Sequence, residues 1–326
     1  NSESGGEAAI AVGKSASAGG ESAVAVGNGT VATAGDAVAI GTSSQATGGD
    51  SIALGKNANA SNGDSIAIGQ DTVSNQINSV ALGKSSQATG GSATALGPQA
   101  KATGSAAVAI GLNSEANQSS AVAIGQSSLA SGLNAIASGY KSAASGENAA
   151  AYGNTAKAVG KNSLALGANT QATVEGGVAL GANTQATVEG GVALGAGSIA
   201  NTVAGAGYNP NTGRSNTYTP TLSNAMTSTW AAVSIGDGTN TRQLTGLAAG
   251  TNDTDAVNVA QLKSMNLAFK AEDSTKGDVN LTNTNSALNV VGDSTYITTK
   301  GNNQTLTISG KKQNITVTNG TASASA

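Results

Sequence analysis

Asp50-Ser51-Ile52-Ala53-Leu54-Gly55-Lys56-Asn57-Ala58-Asn59-Ala60-Ser61-Asn62-Gly63 decides the fold, because its frame returns every 14 residues. The signature aliphatic–Ala–aliphatic–Gly begins at Ile10, Val24, Val38, Ile52, Ile66, Val80, Thr94, Val108, Val122, Ile136, Ala150, Leu164, Val178 and Val192, with no insertion or deletion. The second place is Ala in all fourteen copies, from Ala11 to Ala193, and the fourth is Gly, from Gly13 to Gly195. Five residues past each Gly another Ala follows, from Ala18 onward, broken only by Ser74. Strict phase over this length predicts a solenoid of stacked coils, neither a globular enzyme domain nor a disordered low-complexity tract. Residues 168–181 and 182–195 are identical, which fits growth by duplication.

Within one coil, Ser51-Ile52-Ala53-Leu54 reads as a short strand and Gly55 as its end, at a place suited to positive φ or close backbone approach. Asn57-Ala58-Asn59-Ala60 allows a second short strand, and Ser61-Asn62-Gly63 is turn chemistry. Stacking would give parallel sheets with strands about 4.8 Å apart, so fourteen coils make a rod about 65 Å long. Alternation puts Ile52 and Leu54 on one face and Ala53 and Gly55 on the other. A coil this small has no room for large side chains across its interior, so Ala53 is expected inside, facing Ala60. The aliphatic face then points outward along the whole rod and needs a cover, since a monomer rarely exposes more than a few hundred Å² of contiguous apolar surface. The simplest cover is another copy of the same chain. The expected interface columns are Ile10, Val12, Val24, Val26, Val38, Ile40, Ile52, Leu54, Ile66, Ile68, Val80, Leu82, Val108, Ile110, Val122, Ile124, Leu164, Leu166, Val178, Leu180, Val192 and Leu194. The opposite arrangement, with the aliphatics inside and small residues facing solvent, would give a monomer. In the outward columns Ser138 and Tyr152 stand in successive coils, and Tyr152 is expected to lean over the space beside Ser138.

Composition agrees with small, repeated contacts: 326 residues with 46 Gly, 2% aromatic and 10% charged residues. There is no Cys and no His, which removes disulfides and thiolate zinc sites. A net charge of −3 with scattered Lys and Arg argues against nucleic acid and anionic membranes as partners. No apolar run approaches the roughly 20 residues of a membrane helix. The stretches Asn1-Ser2-Glu3 and Ala322-Ser323-Ala324-Ser325-Ala326 read as cut edges of something longer.

Past Gly195 the character changes. Residues 201–230, with Tyr208, Pro210, Tyr218, Pro220 and Trp230, read as a loop-rich insertion. Val233-Ser234-Ile235-Gly236 resembles one last strand. Asp253, Thr254 and Asp255 are expected to cap a short helix that carries Val259 and Leu262. Residues 264–326 show alternating β pattern at 288–290, 296–298, 306–308 and 315–317.

Two of these patterns resemble the trimeric autotransporter adhesins with a YadA-like head. Asn78-Ser79-Val80-Ala81-Leu82-Gly83 and Asn162-Ser163-Leu164-Ala165-Leu166-Gly167 are similar to that family's head repeat. Thr254-Asp255-Ala256-Val257-Asn258-Val259-Ala260-Gln261-Leu262 matches its neck. The long head and the aromatic insertion look most like the ubiquitous surface protein A adhesins of Moraxella. The resemblance implies an all-β fold: a left-handed parallel β-roll of 14-residue coils over 1–200, assembled as a homotrimer. It further implies a neck and start of coiled coil over 231–263, with Val257, Val259 and Leu262 between the copies, and a β-rich stalk domain over 264–326, where Phe269 stands in a place that often holds Trp. A C-terminal membrane barrel, absent here, would anchor the whole protein at the bacterial surface. Heads of this family bind extracellular-matrix proteins such as fibronectin, laminin or collagen. Asn78–Gly83 matches a repeat associated with collagen binding in relatives, although the same residues form the structural consensus.

The expected function is therefore adhesion by a rigid multivalent trimer, or a structural spacer and autoagglutination module whose receptor site lies elsewhere. An enzyme is not expected: there is no nucleophile–base set, no P-loop, and no six-residue period with a catalytic His. The Asp253/Asp255 pair as catalytic carboxylates is the weaker reading of those residues. An ice-binding face would need an unbroken Thr ladder, and the column from Gly19 through Thr33, Thr47, Ser61 and Asn75 is broken. No calcium-binding Gly-Gly-x-Gly-x-Asp repeat occurs. No cofactor and no small-molecule substrate are expected, and the ligand-binding residues stay unassigned.

Overall fold

A computed structural model describes residues 1–207, 227–270, 276–280, 291, 297–302 and 305–310. Contacts divide the chain into two units, Asn1–Gln243 and Leu244–Ala326. In the first unit each coil supplies one three-residue and one two-residue strand. The longer strands, Ile10–Val12 through Val192–Leu194, form a 15-stranded parallel sheet completed by Val233–Ser234. The shorter strands, Glu3–Ser4 through Ile199–Ala200, form a second parallel sheet of 15 strands. The register never slips: Ile66 stands on Val80, Ala67 on Ala81 and Ile68 on Leu82, so each sequence position becomes a column.

The interior is as narrow as the sequence implies. Ala53 and Ala60 are fully buried, as are their equivalents along both sheets, and the largest fully buried side chains are threonines. None of the 22 aliphatics named above is buried; each is half-buried or exposed on the outer face. Hydroxyls that enter the core find backbone acceptors. Thr30 donates to Gly27 O (3.1 Å), Thr72 to Gly69 O (2.9 Å) and Ser86 to Gly83 O (2.9 Å). Ser74, the one break in the second Ala column, sits 2.7 Å from the hydroxyl of Ser79 across the coil. A buried polar pair thus replaces an Ala contact without leaving either group unpaired.

Two tight turns close each coil. In the first, Ala16 N donates to Gly13 O (3.4 Å); in the second, Ala23 N donates to Gly20 O (3.2 Å). The third residue of each has positive φ, as a type II turn requires: 56° at Ser15 and 54° at Ser22. Gly55, the place the sequence suits to positive φ, has φ of 139°. Most of these corners are instead Ser, Asn or Asp, short polar residues that tolerate the left-handed region. Stacked corners also pair along the rod: Asn134 Nδ2 donates to Asn148 Oδ1 (3.1 Å), and Asn148 Nδ2 to Asn162 Oδ1 (3.2 Å).

The duplicated coils contain a size exchange. Gly177 replaces the Ala or Ser that other coils carry there, and a Cβ on it would lie 2.9 Å from Val174 Cγ2. Val174 therefore occupies the volume that the side chain leaves elsewhere. Gly177→Ala should cost about 1–3 kcal/mol by overpacking. Adding Val174→Gly should return most of it, because the pair then reproduces Gly146 and Ala149. A double-mutant cycle in urea checks this, and additive losses would show that the two sites do not exchange volume.

The insertion opens inside a turn. Ala232 N donates to Thr202 O (3.1 Å), the bond that Ala23 and Gly20 make in a regular coil, where only residues 21 and 22 intervene. Here residues 203–231 take their place, and Val233 then pairs in register with Val192. The period breaks in sequence but continues in space for one more strand.

The end of the roll is capped by Arg242, a residue with no local sequence signal for that role. In interior coils Gly197 N donates to Ala182 O (2.8 Å) and Gly195 N to Leu180 O (2.8 Å). The corresponding acceptors of the last coil, Ala196 O and Leu194 O, take side-chain donors instead of the backbone N–H of a following coil. Arg242 Nη2 donates to Ala196 O, and Ser198 Oγ donates to Leu194 O (2.7 Å). Arg242 Nη1 donates to Ser198 Oγ (2.9 Å) and to Ile235 O. Arg242→Ala should destabilise this end by about 1–2 kcal/mol. Faster amide exchange at Gly195 and Gly197, with the first coils unchanged, is the expected result; uniform exchange along the rod would contradict the cap.

In the second unit, Val259–Lys263 is a five-residue helix. Asp253, Thr254 and Asp255 do not cap it. The N-cap is Asn258, whose Oδ1 accepts from Gln261 N (2.9 Å) while Gln261 Oε1 accepts from Asn258 N (3.1 Å), a reciprocal capping box. Asp255 is engaged earlier in the chain, accepting from the backbone N–H groups of Thr251 and Asn252 (both 2.9 Å). Farther on, Asn266–Lys270 pairs antiparallel with Lys276–Asn280, a hairpin the alternation did not reveal. Ile297–Asn302 pairs with Thr305–Gly310, which contains the expected 306–308 strand. The expected strands at 288–290 and 315–317, like Tyr208, Pro210, Tyr218, Pro220 and Tyr296, lie outside the described residues.

Candidate functional site

The roll has two outer faces of different chemistry. On the three-residue strands the aliphatic columns run the length of the sheet. Ile40 is 37% exposed, Leu82 40% and Leu166 48%, too much for core residues and too regular for chance. Leu96 and Ile136 stand in the same two columns beside the expected residues. A strip about 65 Å long and about 10 Å wide amounts to on the order of 600 Å² of apolar surface, the upper end of what a monomer shows. Tyr152 pairs in register with Ser138 and is 37% exposed, as Ile40 is.

The outer face of the two-residue strands changes from coil to coil. Val31, Gln45, Asn59, Lys101, Glu115, Leu129 and Lys157 share one column. Lys101 meets Glu115 at 3.1 Å, and on a turn Lys161 meets Glu147 at 3.0 Å. Both pairs are exposed and contribute about 0–1 kcal/mol each, so they set local charge rather than hold the fold. Lys141 Nζ lies 5.1 Å from the ring centre of the exposed Tyr140.

Asn78–Gly83 is built as architecture. Asn78 is a left-handed corner with φ of 58°, Ser79 and Ala81 are fully buried, and Leu82 belongs to the aliphatic column. In the neck, Val257 (67% exposed), Val259 and Leu262 are also exposed. Gln261 holds the loop before the helix, donating from Nε2 to Gly250 O (3.0 Å) and accepting from Gly250 N at Oε1 (3.0 Å). Asp255 and Asp237 are held below the usual carboxylate range by backbone donors, first Asn252 for Asp255 and first Asn240 for Asp237. These are turn-closing carboxylates, and Asp255 is bonded to its own loop rather than poised beside Asp253. Among the described residues no cluster of acidic side chains could hold a metal ion, and no helix is long and apolar enough to cross a membrane.

Comparison with known proteins places these features. The family model described as YadA head domain repeat (2 copies) matches successive segments from residue 4 to residue 198. The model described as coiled stalk of trimeric autotransporter adhesin matches residues 243–291. Autotransporter adhesin BadA of Bartonella henselae is 52% identical over 66 residues, which is 20% of this chain and 2% of that protein's length. The solved collagen-binding domain of the Yersinia adhesin YadA is 29% identical, with 72% of this chain and 84% of that chain covered and a TM-score of 0.26. With head repeats over more than half its length and a stalk match behind them, the chain belongs to the trimeric autotransporter adhesins.

Proposed function

We propose that this chain is the head and neck of an adhesin that assembles as a homotrimer through its aliphatic columns and binds host extracellular-matrix proteins, fibronectin, laminin or collagen among them. One observation supports this above the others: two unbroken columns of aliphatics are left outside a core that is already closed by alanine. Three copies would cover each other's columns and leave the variable faces outward. A stiff trimer then presents three equal surfaces, and weak contacts add through avidity. In the whole protein a membrane anchor would hold this part at the bacterial surface.

Light scattering on the purified chain, followed by binding of the same sample to immobilised fibronectin, laminin and collagen, tests the proposal. A mass of three chains with saturable binding is expected. A monomer would refute the interface. A trimer that binds none of the three would favour the second reading, a spacer or autoagglutination module. The placement of Asn78–Gly83 favours that reading, since Ser79 and Ala81 of this collagen-associated motif are buried inside the coil.

A further inference from the structure

We propose that the hollow at the base of the insertion binds a cationic side chain, arginine or lysine, presented by a partner protein. The hollow measures about 350 Å³ and lies between the last regular turn, Glu189-Gly190, and the two legs of the insertion, Val203-Ala204 and Thr229-Trp230-Ala231. That volume is in the range of small-ligand sites.

Trp230 is the only tryptophan in a chain with 2% aromatics, and it is 76% exposed. One edge of it nevertheless has a neighbour. The ring edge rests on Gly190, with Cε3 and Cζ3 at 3.6 and 4.0 Å from where a Cβ would be. In the coil below, the equivalent glycine, Gly176, meets the next turn's backbone at 3.7 Å. Trp230 therefore stands where the next corner would stack, seated on one side and open on the other. A large π-face held toward solvent attracts a cation over it.

The charge beside it has the right sign. Glu189 lines the hollow and is exposed, one coil above Glu175 in the same column. Lower in that column Glu147 is paired with Lys161. Among the described residues neither Glu175 nor Glu189 has an ion-pair partner. Among the described residues no Lys or Arg lines the hollow, and Thr229 is the one other polar side chain. A carboxylate and an indole face with so few hydrogen-bonding groups fit one guanidinium or ammonium better than a saccharide, which needs several donors and acceptors. The inference stands on these residues whether or not the columns trimerise or the head binds matrix.

Because Trp230 is the sole tryptophan, its fluorescence reports this hollow alone. The full chain is titrated with acetyl-arginine-amide, with the neutral isostere acetyl-citrulline-amide, and with N-acetylglucosamine. The arginine probe is expected to give a saturable change that weakens with added salt, while citrulline and the sugar give none. Glu189→Gln, an exposed isosteric change, should weaken the arginine response about threefold. No saturable change with arginine, an equal response to citrulline, a response to the sugar instead, or an unaltered titration in Glu189→Gln would each overturn the proposal. The wild-type comparisons carry the test even if the variant folds poorly.

Discussion

Gly139→Ala is expected to break the roll in its middle, at a cost of about 3–5 kcal/mol. Gly139 has φ of 140°, a conformation glycine alone adopts readily. A Cβ there would lie 2.3 Å from Gly153 O and 2.6 Å from Gly153 C in the next coil. Both contacts are backbone atoms in a hydrogen-bonded ladder, since Gly153 N donates to Ser138 O (2.8 Å), so no side chain can swing aside. Relief would require separating two coils, and each coil touches only its neighbours. The loss should therefore split one cooperative urea transition into two and raise amide exchange between Val122 and Leu166. Gly49→Ala is the control: nothing lies within 4 Å of its Cβ position and its φ is not positive. It should change stability by less than about 0.5 kcal/mol. If the two variants melt alike, the glycine column is not what sets the coil spacing.

The contrast between these glycines shows why so much of the roll is legible in sequence. A column repeats one environment fourteen times, so Ala11 to Ala193 and Gly13 to Gly195 advertise a narrow core and a close backbone approach without any structure. The inside-out placement also follows from volume, since Ile and Leu do not fit where Thr72 is already the largest tolerated side chain. What escapes the sequence is set by single side chains whose partners are remote or compete. Arg242 reaches Ala196 across 46 positions, with the insertion between them, and nothing local marks it as a cap. The helix start is ambiguous in sequence because Asp253, Thr254, Asp255 and Asn258 are all good caps by type. The choice falls to Asn258, the residue with Gln261 three positions on, while Asp255 serves the turn at Thr251 and Asn252. The ligand surface is illegible for another reason: residues such as Asn78–Gly83 satisfy the coil first, and a binding role would leave no further mark on them.

Leu82→Asp with Ile124→Asp should turn the trimer proposed above into monomers while leaving the coil folded. Both side chains are 40% exposed in the single chain and contribute nothing to the alanine core, so each carboxylate can stay hydrated in a monomer. In a trimer the same positions meet their symmetry mates, and three like charges would be desolvated together at each level. An uncompensated buried charge costs about 3–5 kcal/mol per site, and two levels should exceed what most interfaces can absorb. Sedimentation at micromolar concentration is expected to show one chain instead of three, with an unchanged circular-dichroism spectrum. Gln171→Asp, exposed on the opposite sheet, should leave the mass alone. Matrix binding should fall further than any single contact explains, by about 10²–10⁴-fold, because avidity disappears with the trimer. A double variant that keeps the parent mass would mean that something other than a second copy covers the columns. A monomer that still binds with the parent affinity would separate adhesion from assembly, and the contact would then be a single strong site on one chain rather than three weak ones.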